Sequence, residues 1–483
     1  MFNDLGRSRR SGGSRFYSRL CGNGNHWERR SAKNLIPEGP DMSRRNSSSA
    51  RSLNSDNPQK VAYITAIFPG VTITFVMREI EALTRMGFEV IVFAIKRPAL
   101  ATPDPIMPQS ETEMPCTYAR PDNLIRHFRE NIHCFLRKPS LYLRSLYGFL
   151  RQAPKLEPGA FVRLLFHFFV GVGFSREMVG LNVSHIHGHF AAGTSIALAA
   201  SLVSGIPFSW SAHASGDIFV KPVLLPEKVE RAGFVVAVCE YSKRYLDDVT
   251  GLKYSPKIHR IYNGIDCVEH QLAGVGSRSE RNPSGKERGP FRVISVGSLV
   301  GCKGHGTLIK ACRDLKERGH SVVCTIIGDG PERLTLSRLI EELALEGVVS
   351  LKGYLNLKSV YAELKESDVF TLLSEIHING YRDGFPTVIL EAMSMSLPIV
   401  STWVSGIPEM VVDGETGFLV HERDHVAAAN ALERLILSDD MRSAFGKAGK
   451  ERVERLFNLS ESVSRLADLF SNSPGNKVKQ RTR

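Results

Sequence analysis

The chain has 483 residues, which at about 150 residues per domain is enough for two large domains or three smaller ones and excludes a small binding module. Hydrophobic residues make up 42% and charged residues 23%, as in soluble globular proteins, so collagen, coiled-coil arrays and wholesale disorder are excluded. The formal charge of +12 is concentrated in residues 1–57 and 472–483. These two basic tails are rich in Ser, Gly and Asn and are predicted to be disordered. A nucleic-acid partner is not expected, because it would need this charge on a folded face.

Short β-branched runs alternate with helical patterns from Gln59 onward. Val61–Ile67 is an apolar run, Thr72–Met86 has helical periodicity, and Glu89–Ile95 is apolar again. This alternation predicts a parallel sheet with helices on both faces. Further strands are predicted at Val183–His187, Pro207–Ser211, Phe234–Cys239 and Lys257–Tyr262. The first domain is therefore predicted over residues 58–266, with a helical insert at 121–178.

A second domain is predicted after residues 267–290, a polar stretch that cannot bury a face and is typical of a linker. The alternation resumes over residues 291–457. Strands are predicted at Arg292–Val296, Ser321–Ile327, Val348–Leu351, Val369–Leu373 and Pro398–Thr402, and helices at Gly306–Arg318, Glu332–Leu345 and Thr387–Met395. Residues 458–471 predict a C-terminal helix that packs back on the first domain. The predicted fold is α/β, with two doubly wound, Rossmann-like domains facing across a cleft.

The cleft is the predicted active site, because ligands of such sheets bind at the carboxyl ends of the strands. The segment from Asp383 to Glu391 is the most informative part of it. Its Gly-Phe-Pro run allows close backbone approach, and the N–H groups of Thr387 and Val388 in the first helical turn can hold an anion such as a diphosphate. The two carboxylates can accept hydrogen bonds from a hydroxyl-rich ligand at different depths.

The segment Asp383–Glu391 resembles the E-x₇-E signature of the retaining, two-domain family-4 glycosyltransferases, with Asp in place of the first Glu. Other segments follow the family's order: Asn263-Gly264-Ile265-Asp266, Val296-Gly297-Ser298-Leu299, Lys303-Gly304, Ile327-Gly328-Asp329-Gly330-Pro331, Ser405-Gly406-Ile407-Pro408-Glu409 and Asp413-Gly414-Glu415-Thr416-Gly417. The first half is more loosely similar to bacterial exopolysaccharide enzymes of the colanic-acid type, at Thr72-Ile73-Thr74-Phe75, Glu79-Ile80, His187-Gly188-His189-Phe190 and Ser211-Ala212-His213-Ala214.

This resemblance implies a GT-B-type fold and a metal-independent hexosyltransferase. Such an enzyme transfers a sugar, with retention, from a nucleotide-sugar donor to an acceptor hydroxyl in exopolysaccharide or cell-surface glycan synthesis. The acceptor would be a lipid-linked or growing saccharide.

Four catalytic residues follow from the resemblance. Lys303 would neutralise the leaving diphosphate, and Glu391 would accept hydrogen bonds from the ribose hydroxyls. Asp383 would accept from the transferred sugar, and His213 would lie under that sugar near the reacting carbon. The implied donor-binding residues are Gly297, Lys303, Gly330, Asp383, Gly384, Phe385, Pro386, Thr387, Val388 and Glu391, and the implied acceptor-side residues are Thr74, His187, His189 and Asp217. Ser298 departs from the family, which commonly has Arg there.

No cofactor and no metal are expected. The chain has no D-x-D pair to hold Mn²⁺ or Mg²⁺, so charge neutralisation would fall to Lys303 and the helix N-terminus. The pair Gly171 and Gly173 fails the dinucleotide pattern because Arg176 stands where the third Gly belongs, so NAD is not expected. Eight scattered Cys without a C-x-x-C pair, and an N-terminus without a signal-peptide pattern, predict a cytoplasmic protein.

The helical insert is basic and rich in aromatic residues. Between Arg120 and Glu177 it holds ten Lys or Arg against four Asp or Glu. Two interpretations stay open: peripheral attachment to the anionic cytoplasmic face of a membrane, or helices that pack on the sheet with their Arg residues in solvent. The apolar stretches Ala160–Phe174 and Ala191–Val203 are short for a bilayer, so no transmembrane helix is predicted.

Three other functions stay open from the sequence. A sugar-nucleotide epimerase could use the same architecture and would turn over the donor without an acceptor. A non-catalytic scaffold that binds a nucleotide is suggested by Ser298 and Asp383. A nucleic-acid binder that uses the basic tails is the last of the three.

Overall fold

The computed structural model describes residues 58–70, 73–98, 115–119, 123–151, 157–213, 215–220, 222–266 and 289–473. The predicted tails and linker lie almost wholly outside this part of the chain. The described residues form two parallel sheets, of seven and six strands, with helices between the strands. The predicted fold class is confirmed. The domain boundaries given above stay predictions.

The first sheet has the strand order β3-β2-β1-β4-β5-β6-β7. Its strands are β1 (Gln59–Ile67), β2 (Phe88–Lys96), β3 (Cys116–Tyr118), β4 (His185–His189), β5 (Phe208–Ala212), β6 (Val235–Ala237) and β7 (Ile258–Arg260). Its helices are α1 (Thr74–Arg85), α2 (Leu124–Arg137), α3 (Pro139–Leu150), α4 (Pro158–Gly180), α5 (Phe190–Ser204), α6 (Leu225–Arg231) and α7 (Glu240–Thr250).

The second sheet has the strand order β10-β9-β8-β11-β12-β13. Its strands are β8 (Phe291–Val296), β9 (Val322–Ile327), β10 (Val349–Gly353), β11 (Val369–Leu372), β12 (Ile399–Thr402) and β13 (Gly417–Val420). The helices that follow β8 are α8 (His305–Glu317), α9 (Arg333–Glu342), α10 (Leu357–Glu366), α11 (Thr387–Ser394), α12 (Ile407–Met410), α13 (His425–Leu437), α14 (Asp439–Leu456) and α15 (Leu459–Ser471).

Successive residues of β1 point to opposite faces of the first sheet, as the pleat requires. Ala62 and Ile64 join the core formed with α4 and α5. Val61 and Tyr63 join the core on the other face, formed with α1 and with α15. Because both faces are covered, the strand is a continuous apolar run in the sequence. The C-terminal helix α15 therefore packs on the first sheet.

Helix α4 (Pro158–Gly180) is longer than the apolar stretch Ala160–Phe174 from which its length was judged. It has 23 residues and, among the described residues, is the one helix long and apolar enough to cross a membrane by length and composition. The expectation that this stretch is too short is therefore corrected. In this structure 44% of its most apolar part is buried. A Cβ at Gly171 would lie 2.6 Å from that of Ala199 on α5, so this glycine serves close helix packing.

Glu409 joins the two domains. Its Oε2 accepts a hydrogen bond from the N–H of Glu240 at 2.8 Å, and its Oε1 accepts from the N–H of Tyr241 at 2.9 Å. The hydroxyl of Tyr262 donates to Oε2 at 3.0 Å. A carboxylate at the N-terminus of α7 satisfies unpaired N–H groups and the helix dipole. These contacts fix the orientation of the first domain against the second.

Candidate active site

Lys303 and Asp383 meet at the carboxyl ends of two neighbouring strands, β8 and β11. Lys303 ends the 3₁₀ turn Gly301–Lys303, and Asp383 lies in the loop before α11. The Nζ of Lys303 donates to Oδ1 of Asp383 at 2.7 Å, and the Ser374 hydroxyl donates to Oδ2 at 2.5 Å. The Lys303 and Asp383 side chains are 15% and 14% exposed. A cation beside a carboxylate suits a ligand that carries both negative charge and hydroxyl groups.

Glycines let backbone segments approach one another around Lys303. Gly304 has φ +66° and packs against the end of β11, where a Cβ would not fit. A Cβ at Gly297 would lie 3.4 Å from Cδ of Lys303, so the aliphatic stem of the lysine crosses this glycine. A Cβ at Gly330 would lie 2.5 Å from the carbonyl oxygen of Leu299. Of the predicted donor-binding glycines, Gly297 therefore lies next to Lys303, and Gly330 lies next to Leu299 in the segment between β8 and Lys303.

The loop before α11 is fixed by contacts to both domains. The carbonyl of Gly384 accepts a hydrogen bond from the N–H of Gly406 at 3.0 Å. The ring of Phe385 stacks on that of Tyr262, with centroids 5.3 Å apart and an angle of 20° between planes. The loop is thus held by contacts within the protein.

Helix α11 begins at the position where the sequence predicts that a diphosphate binds. Pro386 precedes its first residue, Thr387, and Val388 follows. The N–H groups of a first turn have no acceptor within their own helix, and the helix dipole makes this end positive. Thr387 and Val388 are therefore placed to hold an anion beside Lys303 and Asp383.

Glu391 forms an ion pair with Arg78, a residue that was not singled out from the sequence. The Nη1 of Arg78, on α1, lies 3.1 Å from Oε1 of Glu391, and its Nη2 donates to the hydroxyl of Tyr361 at 3.2 Å. The side chains of this ion pair are 10% and 7% exposed. The other carboxylate oxygen, Oε2, accepts no hydrogen bond from the described residues. The pair links the first domain to the predicted ribose-binding residue.

His213 lies just beyond β5 at the carboxyl edge of the first sheet. Its ring contacts those of Phe75 and Phe190, with centroid distances of 4.8 and 4.9 Å. The backbone N–H of His213 donates to Oδ2 of Asp217 at 3.0 Å, and Asp217 lies in the short π-helical turn Ser215–Phe219. The predicted residues His213 and Asp217 are thus brought together. Thr74 begins α1 and is partly buried.

His187 and His189 are both fully buried. The two nitrogens of His187 are 2.7 Å from the hydroxyl of Ser209 and 2.9 Å from that of Ser211. The Nδ1 of His189 is 3.0 Å from Nε2 of His213. As the structure places them, His187 is enclosed by the sheet, whereas His189 contacts the predicted catalytic histidine.

These imidazoles are neutral near physiological pH. Burial lowers the pKa of His213 to about 3 and those of His187 and His189 well below the ordinary range. His213 can therefore act through a hydrogen bond at its ring or through its backbone, but not as a permanent positive charge.

One group of side chains among the described residues could hold a metal ion. It consists of Glu79, His187 and His189, whose possible ligand atoms lie within 4.8 Å of one another. His187 gives both nitrogens to serine hydroxyls. One imidazole and one carboxylate then remain, fewer than the three protein ligands of a catalytic zinc site. We assign no metal to these residues.

Comparison with known proteins assigns both halves of the chain. Residues 73–269 match the family described as Glycosyltransferase Family 4, and residues 277–452 match the family described as Glycosyl transferases group 1. Both halves of the chain are glycosyltransferase domains. The resemblance stated from the sequence is confirmed.

Two similar bacterial proteins are named for exopolysaccharide synthesis. The chain is 39% identical over 182 residues to the putative colanic acid biosynthesis glycosyltransferase WcaL of Escherichia coli, a match that covers 38% of this chain and 45% of that protein. It is 36% identical over 181 residues to the amylovoran biosynthesis glycosyltransferase AmsK of Erwinia amylovora, covering 38% and 44%. The chain thus spans less than half the length of these two relatives.

Solved structures share the fold at low sequence identity. The crystal structure of HepE from Anabaena in complex with UDP and glucose has a TM-score of 0.61 and 17% identity, and the match covers 86% of this chain and all of that one. Sucrose-phosphate synthase from Thermosynechococcus elongatus has a TM-score of 0.60 and 18% identity, with 86% and 98% covered. The fold is therefore of the GT-B type.

Proposed function

We propose that this chain is a retaining glycosyltransferase that moves a sugar from a nucleotide-sugar donor to an acceptor hydroxyl. The acceptor is a lipid-linked or growing saccharide in exopolysaccharide or cell-surface glycan synthesis, the processes named for the two bacterial relatives. The observation that carries the proposal is the meeting of Lys303 and Asp383 beside the start of α11.

Lys303 and Asp383 neutralise each other in the structure. A bound nucleotide diphosphate would attract Lys303, because negative charge on the leaving group grows in the transition state. Asp383 would then be free to accept hydrogen bonds from the transferred sugar. The N–H groups of Thr387 and Val388 would hold the phosphate oxygens. This division of roles explains why the two charges lie together at one helix N-terminus.

Glu391 would bind the ribose through Oε2, because Arg78 occupies Oε1. His213 would lie under the transferred sugar, with Thr74 and Asp217 on the acceptor side. The reaction would take place on the cytoplasmic side and would need no metal, since Lys303 and the helix N-terminus supply the positive charge.

We expect one class of nucleotide-sugar to stabilise the protein against heat. A ligand at about 100 times its Kd adds about 2.7 kcal/mol to the free energy of unfolding. The measurement is a thermal shift with UDP-, GDP-, ADP- and dTDP-sugars, in wild type and in Lys303→Ala and Glu391→Ala, each compared with its own baseline. Both variants should lose the shift, and an added chelator should not change it.

Lys310→Ala is the matched control, since Lys310 is exposed on α8. It should keep the full shift. Stabilisation by no donor at all would contradict the proposed donor site. Turnover of the donor without any acceptor would instead support an epimerase.

We further propose that helix α2 attaches the protein to an anionic membrane surface. Its apolar residues Ile125, Phe128, Ile132 and Leu136 recur every three or four positions and are exposed, Ile125 by 79%. Exposed basic residues without an acidic partner among the described residues lie on α2, just after it, or on the next two helices: Arg129, Arg137, Lys138, Arg144 and Arg163. Apolar side chains flanked by cations favour a surface of anionic lipid.

We expect the protein to float with phosphatidylglycerol vesicles and not with phosphatidylcholine vesicles, and the binding to weaken as salt rises. Because each buried apolar side chain contributes about 1.5–3 kcal/mol, Phe128→Asp with Leu136→Asp should lower binding by about a hundredfold or more. The control is Leu437→Asp, at a residue that is 73% exposed on α13. Equal flotation of the double variant and the control would refute attachment through α2.

A further inference from the structure

Three titratable groups lie in a row beneath the proposed sugar site. They are Glu79 on α1, His189 at the end of β4 and His213 just beyond β5. The Nε2 of His213 is 3.0 Å from Nδ1 of His189, and Nε2 of His189 is 3.7 Å from Oε1 of Glu79. The Tyr63 hydroxyl donates to the same oxygen at 2.6 Å. Both imidazoles are buried, so their protons are controlled by these neighbours.

A neutral imidazole carries its proton on one nitrogen, so the hydrogen bond between His189 and His213 can run in either direction. An ionised Glu79 only accepts, which favours a proton on Nε2 of His189 and a lone pair on its Nδ1. His213 must then donate from Nε2, and its Nδ1 carries a lone pair. Protonation of Glu79 reverses both rings and turns Nδ1 of His213 into a donor.

We propose that Glu79 and His189 set the tautomer of His213, so that its Nδ1 accepts a hydrogen bond from a sugar hydroxyl in the reacting complex. This inference rests on the proposed function. Glu79 and His189 act through His213 and are positioning residues. The triad is a carboxylate followed by two imidazoles, and it ends at the group predicted to lie near the reacting carbon.

One atom at the end of the row lacks a partner, which supports this assignment. The Nδ1 of His213 is buried and has no hydrogen-bond partner among the described residues. A buried polar atom without a partner is unfavourable and needs an explanation, and a ligand hydroxyl would supply the missing bond. The Nε2 of His189 also lacks a hydrogen bond at its distance of 3.7 Å from Glu79. Across 3.7 Å the charge of an ionised Glu79 still favours a proton on Nε2 of His189.

The protonation of Glu79 is poised to change near neutrality. Burial raises its pKa to about 7, although the hydrogen bond from Tyr63 lowers it. Because burial lowers the pKa of His213 to about 3 and that of His189 well below its ordinary range, both rings stay neutral while Glu79 titrates. Above this pH Glu79 is ionised and Nδ1 of His213 accepts.

The surroundings of Glu79 hold few other groups that could titrate in this range. Tyr63 faces Glu79 from β1, and His187 faces it from β4. Tyr262 lies across a small cavity that is lined by Glu79 and Tyr262. From α15 that cavity is lined by Leu459, Ser462, Val463 and Leu466, none of which titrates. Its chain neighbour Arg78 is paired with Glu391.

Nitrogen NMR of the whole protein, labelled with ¹⁵N in its histidine rings, tests the inference without any turnover. Peaks of His213 are assigned with His213→Asn. We expect Nδ1 of His213 to be unprotonated at about pH 8 and protonated at about pH 6, with both rings neutral throughout. Glu79→Gln should abolish this change, because an amide does not titrate. Tyr63→Phe should move its midpoint to higher pH, because the hydrogen bond that lowers the pKa of Glu79 is lost.

Enzyme kinetics supply the second readout. With the identified donor, kcat should fall as the pH drops through the same midpoint, and the KM of the donor should not change. Glu79→Gln should lower kcat by about tenfold and remove this pH dependence. Glu81→Gln, on the same helix, is the control and should keep the wild-type profile. A residue with only a structural role would lower kcat equally at all pH values.

The inference is overturned if the His213 tautomer does not change with pH in the wild type, or if Glu79→Gln leaves that change in place. Absence of sugar transfer from every donor would overturn the proposed function instead. The NMR result and the transfer assay therefore separate the two failures.

Discussion

Replacing Lys303 with Ala is expected to lower kcat by about 10²- to 10³-fold, the effect of removing one group that stabilises developing negative charge. Lys303 is the cation that contacts Asp383, at 2.7 Å, beside the N-terminus of α11. Ser298 stands where the family resemblance implies an Arg, so a second cation from that position is missing. The loss should therefore lie toward the upper end of the range.

Single-turnover kinetics at saturating donor measure this loss, because they separate the chemical step from product release. Lys303→Arg should recover only part of the activity, since a planar guanidinium does not replace a compact ammonium group. Lys310→Ala should behave as wild type. A Lys303→Ala enzyme with unchanged kcat would assign the neutralisation of the diphosphate to another group.

The fold was predictable from the sequence because both sheets are parallel and covered on both faces. Such strands are continuous apolar runs, and the predicted elements lie within three residues of the observed ends. Strand β3, three residues at the sheet edge, was not predicted. Helices α10, α12, α13 and α14 and strand β13 were also not predicted.

The structure brings together the predicted donor-side residues Lys303 and Asp383, 80 residues apart, because they follow two neighbouring parallel strands. Asp383 and Glu391 flank one helix start, and Lys303 follows the neighbouring strand. The first domain was less predictable. His187 resembles a ligand-binding residue in the sequence, but the strand register places it opposite Ser209, which accounts for one of its ring nitrogens. Sequence patterns do not give the register between strands.

Arg78 could not be found from the sequence because its partner Glu391 is 313 residues away. Nothing in the amphipathic pattern of α1 distinguishes an arginine that reaches the other domain from one in solvent. Arg85, on the same helix, is the second kind: its side chain is 67% exposed and pairs with Glu81 one turn away.

Arg78→Ala is expected to lower the free energy of unfolding by about 3 kcal/mol, because removing one partner of a buried ion pair leaves the other charge buried and unpaired. Arg85→Ala, the matched control, should change it by less than about 0.5 kcal/mol, as exposed pairs do. Differential scanning calorimetry checks both, and the Arg78 variant should melt several degrees lower.

A double-mutant cycle then distinguishes the ion pair from simple loss of packing. Arg78→Ala with Glu391→Ala should lose less stability than the sum of the single variants, by about 1–3 kcal/mol, because neither charge is left alone. Additive losses would mean that Arg78 contributes through its contact with Tyr361 and its hydrocarbon stem. Since the ion pair joins α1 to the proposed ribose residue, a coupled result would also mean that the two domains are held together at the donor site itself.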